Sequence, residues 1–431
     1  MSRDAGKSES ADDLPVLTPK ESDEEEEAGK EVSYLKKVAA DAEEVDLSDY
    51  QISKIVGFEK MSRLKKLAFR KNLLKEIENL ECLGDRLEEL DLYDNQIVKV
   101  DGLGALRCLS YLDLSFNRIE TIDAEALRPL APTLTQLCLH SNKLAKIEDA
   151  IGNMVNLTAL DLSDNGIKKI ENLNGLTKLK KLHLSANQIK RIEHLDALTE
   201  LTTLGLLGNQ IEKMENLAML THLEELYLAQ NGISKIEGLE ELTKIVVLDL
   251  SDNQIAAIEN VDHLADLKYF YIKCNRIDSW ESVEGGGLHH LTRLRCLLFS
   301  GEGNSVSLPE ELYRKKVQEL LPQVKLLDDQ LVDGADWEEI AAIENVDHLA
   351  GLKHFYVKCN RIDSWEAVES GGLHHLTRLR CLLFSGEGNS VSLPEELYRT
   401  KIQQLLPQVK LLDDQLVDGA DWEEVFEDSG L

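Results

Sequence analysis

From about Ala42 the apolar residues recur with a period near 22, in the pattern L-x-x-L-x-L-x-x-N-x-I-x-x-I-x-x-L-x-x-L-x-x. Four consecutive units, beginning at Leu157, Leu179, Leu201 and Leu223, carry it most cleanly. In the unit from Leu179 it is filled by Leu182, Leu184, Asn187, Ile189, Ile192, Leu195 and Leu198. Two hydrophobic spacings sit inside each unit. The alternation of Leu182 and Leu184 predicts a short strand with one buried face. The spacing of three from Ile189 to Leu198 suits a 3₁₀ or short helical return on the opposite side. No single unit can bury its apolar edge, so the core must come from stacking on neighbours.

The architecture implied is α/β: a leucine-rich-repeat solenoid, with a curved parallel sheet on the concave face and 3₁₀ or short helices on the convex face. Eleven units run from Ala42 to about Gly287, and a twelfth strand is expected around Leu294 to Phe299. At ~4.8 Å per strand, twelve strands make a ladder roughly 50 Å long. The unit at Leu109 is lengthened by Arg128-Pro129-Leu130-Ala131-Pro132, expected as a bulge on the convex or rim side. An asparagine between strand and return recurs at Asn72, Asn95, Asn117, Asn142, Asn165, Asn187, Asn209, Asn231, Asn253 and Asn275. Its expected role is structural, because a buried carboxamide can satisfy turn backbone groups that have no regular partner.

The ends break the pattern. Residues 1–33 are poor in apolar side chains and contain Asp23-Glu24-Glu25-Glu26-Glu27, which predicts a disordered acidic tail. Residues 34–41 read as an amphipathic lead-in to repeats spanning 42–299. A C-terminal cap follows at 300–340, with a helix from Leu308 that places Pro309 in its first turn. Residues 341–431 are a near-duplicate of the last one and a half repeats plus the cap. Residues 256–339 recur at 341–424, offset by 85, with 8 of 84 positions changed. The copy starts in mid-repeat: Asp333, Ala335 and Glu338 stand where Leu248, Leu250 and Asn253 precede the first copy. It lacks the strand half of that repeat and falls below the roughly three repeats that independent stability needs. The second copy is therefore expected to dock on the first cap or remain loosely ordered.

Composition narrows the chemistry. Hydrophobic residues make up 43% of the chain but aromatics only 5%, so the core must be leucine and isoleucine. The net charge of −31, from 79 acidic and 48 basic residues, argues against nucleic acid or an anionic membrane as partner. It permits a partner with a basic surface. The beginning of the chain is polar, and no apolar run approaches the ~18 residues of a membrane span. Seven scattered cysteines without a Cys-x-x-Cys pair fit reduced thiols. No nucleophile–base arrangement, phosphate loop or metal spacing stands out. His289-His290 lie in a Gly-rich loop without nearby cysteine, a poor tetrahedral site. Neither a catalytic residue nor a cofactor, metal or small-molecule substrate is expected.

Function is then expected on the strand residues that alternate with the buried leucines and point out of the sheet. The column between the strand leucines reads Asp46, Ala68, Asp91, Asp113, Cys138, Asp161, His183, Gly205, Tyr227, Asp249, Tyr271, Leu298, with Tyr269 and Tyr93 on the same face. Aromatics beside carboxylates on a rigid sheet are the ingredients of a protein-binding hot spot. The candidate site comprises Asp113, Cys138, Asp161, His183, Tyr227, Asp249, Tyr269, Tyr271 and Leu298.

Several segments resemble one family. They are Leu112-Asp113-Leu114-Ser115-Phe116-Asn117-Arg118-Ile119, the stretch Leu226-Tyr227-Leu228 through Asn231-Gly232-Ile233 to Ile236-Glu237-Gly238-Leu239, Ile258-Glu259-Asn260, and Asp278-Ser279-Trp280. In the cap, Tyr313-Arg314, Lys316-Val317, Leu321-Pro322 and Val324-Lys325 extend the likeness. Across residues 42–330 the chain is similar to the leucine-rich-repeat regulatory subunits of type-1 Ser/Thr protein phosphatase. The resemblance implies a nuclear and cytoplasmic non-catalytic subunit. It would hold the phosphatase catalytic subunit on its concave face and act in mitotic chromosome segregation. Asp161, Tyr227, Asp249 and Tyr271 keep that family's character. Cys138 and His183 stand where it has Phe, Tyr269 where it has an acid, and Leu298 where it has Tyr. Similar repeats also occur in assembly proteins of cilia and dynein arms; a structural scaffold of that kind, or a generic protein-binding leucine-rich-repeat adaptor, is the alternative reading. Lys54-Ile55-Val56-Gly57-Phe58 fits the short basic-x-Val-x-Phe docking pattern for this phosphatase, but Ile55 and Phe58 fall on core positions, and an extended docking peptide needs both anchors free.

Overall fold

The computed structural model describes residues 38–332 apart from 302, 305, 307 and 329, together with four short strands beyond residue 353. The acidic tail, most of the lead-in and the remainder of the duplicated segment lie outside the described residues. The chain divides into two compact units, residues 1–137 and 138–431.

In the first unit β1 (Glu44–Asp46), β2 (Lys66–Ala68), β3 (Glu89–Asp91) and β4 (Tyr111–Asp113) pair in parallel, each in register with the strand one repeat on. A further strand, β5 (Gln136–Cys138), lies where the two units divide. The second unit continues with β6 (Ala159–Asp161), β7 (Lys181–His183), β8 (Thr203–Gly205) and β9 (Glu225–Tyr227). These are followed by β10 (Val247–Asp249), β11 (Tyr269–Tyr271) and β12 (Cys296–Leu298), and β6 to β12 pair in parallel throughout. The twelve strands fall where the repeat places them. Every central strand residue in these sheets is buried, from Val45 and Leu67 to Phe270 and Leu297.

The returns carry the i-to-i+3 bonding of the expected 3₁₀ geometry, mostly as single turns. In the clean repeats they are chains of turns, with Leu176 N–H donating to Leu173 O, Leu198 to Leu195 and Leu220 to Leu217, each at 2.9 Å. Helical winding appears where a repeat is longer than 22 residues and the extra chain must be taken up. The inserted segment after Leu109 forms α1 (Ala124–Leu127) and a 3₁₀ turn, Arg128–Leu130. Two more short helices are α2 (Asp149–Gly152) and α3 (Trp280–Glu284).

The asparagine ladder does what its position requires. Asn187 Nδ2 donates to Leu162 O of the preceding repeat at 3.0 Å and to Leu184 O of its own at 3.1 Å, while its Oδ1 accepts from Ile167 N at 3.0 Å. One side chain thus closes its own turn and locks it to its neighbour. The residue before the ladder asparagine repeatedly adopts a left-handed conformation, as at Asp94, Ala186, Gln230 and Asp252. The ladder also runs one step beyond the sequence reading. Asn304 donates to Ile272 O at 2.8 Å and accepts from Ile277 N at 3.0 Å. It escaped the pattern because the unit after Asn275 is longer than 22 residues.

The cap helix α4 (Glu310–Leu320) begins after Pro309, which flanks it instead of entering its first turn. Asp328 closes the array: Oδ1 accepts from Phe299 N and Ser300 N at 2.7 Å, and Oδ2 from the Tyr313 hydroxyl at 2.8 Å. Then β13 (Leu326–Leu327) joins β12 in parallel and β14 (Gln330–Leu331) turns back antiparallel. A separate four-stranded sheet holds β15 (His354–Tyr356), β16 (Cys381–Leu383), β17 (Leu411–Leu412) and β18 (Gln415–Leu416). At Lys54–Phe58, Ile55 and Phe58 are buried, and the Phe58 ring meets Phe69 edge-on at 5.8 Å. Both anchors of that docking pattern are core residues.

Candidate protein-binding face

Each three-residue strand buries its middle side chain and presents its first and third on the other face. The second unit therefore displays two columns. The third positions are Asp161, His183, Gly205, Tyr227, Asp249, Tyr271 and Leu298, in register from β6 to β12. The first positions are Ala159, Lys181, Thr203, Glu225, Val247, Tyr269 and Cys296. Polar groups dominate over β6–β8. The face turns apolar over β10–β12.

That apolar end is a packed cluster. Val247, Tyr269 and Cys296 are buried side by side, with Tyr227, Tyr271 and Leu298 packed against them. The expected picture of freely exposed aromatics needs correcting for Tyr269, which is only 5% exposed. Neighbouring strands are about 4.8 Å apart, so bulky side chains in adjacent columns cover one another. The Tyr269 and Tyr271 rings lie 6.5 Å apart at 56°, a tilted pair. Burial pushes the hydroxyls of Tyr227, Tyr269 and Tyr271 above the usual phenol range, so all three stay protonated near neutrality. The cluster is uncharged. Its rim is acidic: Glu225 accepts from Thr203 Oγ1 at 3.2 Å and from the Tyr227 hydroxyl at 3.4 Å, and burial raises its carboxyl.

The aspartates of the column have a second task. Asp161 Oδ1 accepts from Ser163 N at 2.9 Å, and Asp249 Oδ1 from Ser251 N at 3.0 Å. Each caps the end of its own strand. Asp249 is also desolvated, which raises its carboxyl above the usual range. His183 leans over Gly205, where an added Cβ would stand 2.9 Å from its Nδ1. Cys138, in β5, is half-buried.

The first unit places Asp113 in a different setting. Its Oδ1 accepts from Ser115 N at 2.9 Å and its Oδ2 from the Tyr111 hydroxyl at 3.2 Å, and the residue is only 7% exposed. Beside it, buried Asp91 takes the Arg70 guanidinium and Tyr93 N. Arg70 also lies 5.7 Å above the Tyr93 ring, which meets Phe116 at 4.9 Å. Of the expected site residues, the second unit brings Tyr227, Tyr269, Tyr271 and Leu298 into one cluster, with Asp249 in register between Tyr227 and Tyr271. Asp161 and His183 stand in the same column further along. Val247, Cys296 and Glu225 were missed. Their signal was available, since the residue before the first strand leucine shares a face with the residue after it. Among the described residues no group of three or more His, Cys, Asp or Glu could hold a metal. No described helix is long and apolar enough to cross a membrane.

Comparison with known proteins agrees with this geometry. A leucine-rich repeat family matches residues 70–160 and 142–243. An internalin (inlF) of Listeria monocytogenes superposes with a TM-score of 0.55 at 23% identity, covering 70% of this chain and 94% of that one. The functional domain of InlJ, from the same organism, gives 0.54 at 21% identity, over 80% of this chain and 73% of that one. The described repeats have the leucine-rich-repeat fold.

Over 41 residues the chain is 58% identical to protein phosphatase 1 regulatory subunit 7 of Homo sapiens, and over 43 residues 54% identical to that of Xenopus tropicalis. Each match takes in 10% of this chain and only about a tenth of the relative, 11% and 12%. The solved neighbours establish the repeat fold.

Proposed function

We propose that this chain is a non-catalytic regulatory subunit that binds the catalytic subunit of type-1 Ser/Thr protein phosphatase through the strand face of its second unit. The carrying observation is the uncharged cluster of Val247, Tyr269 and Cys296 with Tyr227, Tyr271 and Leu298, rimmed by Glu225 and Asp249. An apolar, aromatic centre with a polar rim is the anatomy of a protein interface, where a few buried anchors supply most of the affinity. The acidic rim and the net charge of −31 favour a partner with a basic patch. The short matches to regulatory subunit 7 support that partner class. In this reading catalysis belongs to the partner, and the complex works in nucleus and cytoplasm.

The test is retention of purified type-1 catalytic subunit on the full-length chain. Retention is expected, and Tyr271→Ala with Asp249→Ala should weaken it by about 2 kcal/mol or more. No retention by the intact chain rejects the reading. Retention unaffected by the double substitution moves the contact away from this face.

A further inference from the structure

The outer edge of β10 is paired with β11, which belongs to a segment, residues 255–339, that the chain carries a second time. Ile255 and Ile340 also match, so blocks 255–339 and 340–424 follow one another without a spacer. Strands β15 to β18 reproduce β11 to β14 pair for pair. Tyr269 opposes Cys296 as His354 opposes Cys381, Leu297 opposes Leu327 as Leu382 opposes Leu412, and both sheets end in the same antiparallel pair.

The bonds that hold the first block on β10 are specific. Tyr269 N donates to Val246 O at 3.0 Å, Leu250 N to Tyr271 O at 2.7 Å and Asp252 N to Lys273 O at 2.9 Å. Asn275 Nδ2 reaches Leu250 O at 2.9 Å, and on the return side Asn260 Nδ2 reaches Ile236 O at 2.7 Å. The second block has the matching donors and acceptors in Tyr356, Lys358, Asn360 and Asn345, and the matching strand centre in Phe355. What precedes it is no substitute for β10, because Asp333 and Ala335 replace the two strand leucines and Glu338 the ladder asparagine.

We propose that the outer edge of β10 is a docking site for either block, and that residues 340–424 of the same chain occupy it when 255–339 are displaced. The exchange leaves the displaced block as a loop whose ends meet at the junction, and closure entropy grows only slowly with loop length. Three of the differences make the first block the resident. Tyr269, buried in the apolar cluster, becomes His354, a more polar ring. Buried Ile272 becomes the smaller Val357. Asp266, paired with Arg293, becomes Gly351. Exchange also alters the binding face, since His354 and Tyr356 would stand in place of Tyr269 and Tyr271. The inference rests on the duplication and the β10 bonds, so it stands or falls independently of which partner the face binds.

The test uses the full-length chain with a charge placed at the strand centre of each block, Phe270→Asp and Phe355→Asp. Phe355→Asp should leave the main melting transition near wild type. Phe270→Asp should lower it modestly, because the second block takes over, and the double variant should lose far more than the two singles together. Hydrogen exchange gives an independent readout: in Phe270→Asp the His354–Tyr356 amides should gain protection while those of β11 lose it. If Phe270→Asp alone melts as low as the double variant, with no protection gained at residues 354–356, the proposal is overturned. A monomeric Phe270→Asp protein supports exchange within one chain, whereas a dimer would put the block on a neighbouring molecule and overturn that form of it.

Discussion

The strand faces of the two units use one backbone frame for different ends. Around β3 and β4 the face is polar and internally paired: Asp91 with Arg70, Asp113 with Tyr111, and Arg70 over Tyr93. Around β10–β12 the same positions hold Val247, Tyr269, Cys296, Tyr271 and Leu298, packed together, with Asp249 at the rim. The buried columns beneath are alike, leucine under each face with Phe270 at β11. The repeat dictates where a side chain stands and leaves open what it does there. A face whose charges are already paired offers little to a partner, whereas an uncharged cluster with an open rim can still gain by burial.

The largest expected effect probes what the two regions share. Leu90→Ala and Leu226→Ala each remove a fully buried strand centre and should cost about 2–5 kcal/mol, measured by denaturant unfolding. Similar losses would confirm a common frame. A loss several-fold larger in one unit would show that the frames are not equivalent.

A smaller effect separates the two faces. Arg70→Met strips buried Asp91 of its cationic partner and should destabilise the first unit by about 1–3 kcal/mol, with phosphatase retention unchanged. Thermal unfolding and the retention assay, run side by side, check both halves of that statement.

The finest difference is in pH dependence. Burial raises the Asp249 carboxyl above its unfolded value, so ionising it costs folding energy. That cost is absent below the ordinary carboxylate range and grows as pH rises through the raised value. Asp249→Asn keeps an oxygen to accept from Ser251 N but cannot ionise. The variant should match wild type in acid and melt higher at neutral pH; a gap that is constant with pH would contradict the assignment.

How much of this was legible beforehand follows from what repeats. Strand positions, the buried leucines and the asparagine ladder recur with the period, and each falls where that period places it. Asn304 was hidden because the last unit is longer than 22 residues, and a fixed spacing finds only what keeps step. The returns keep the i-to-i+3 bonding that a spacing of three calls for, as successive turns in the 22-residue units and as short helices in longer ones. For the face, reading one column found Tyr227, Asp249, Tyr271 and Leu298 but missed Val247, Cys296 and Glu225, which share the surface one pleat earlier. Nor could the sequence alone say that Tyr269 is covered by its neighbours or that Asp161 and Asp249 each give one oxygen to a strand end. Those facts come from the inter-strand distance and the turn that follows.

The most direct measurement of the central claim compares the two faces with one partner. Dissociation constants for the type-1 catalytic subunit would be determined for Tyr271→Ala in the second unit and Tyr93→Ala in the first. The account predicts about 30-fold weaker binding or more for Tyr271→Ala, the loss of an anchor, and wild-type affinity for Tyr93→Ala. Equal affinities, or a loss confined to Tyr93→Ala, would contradict it.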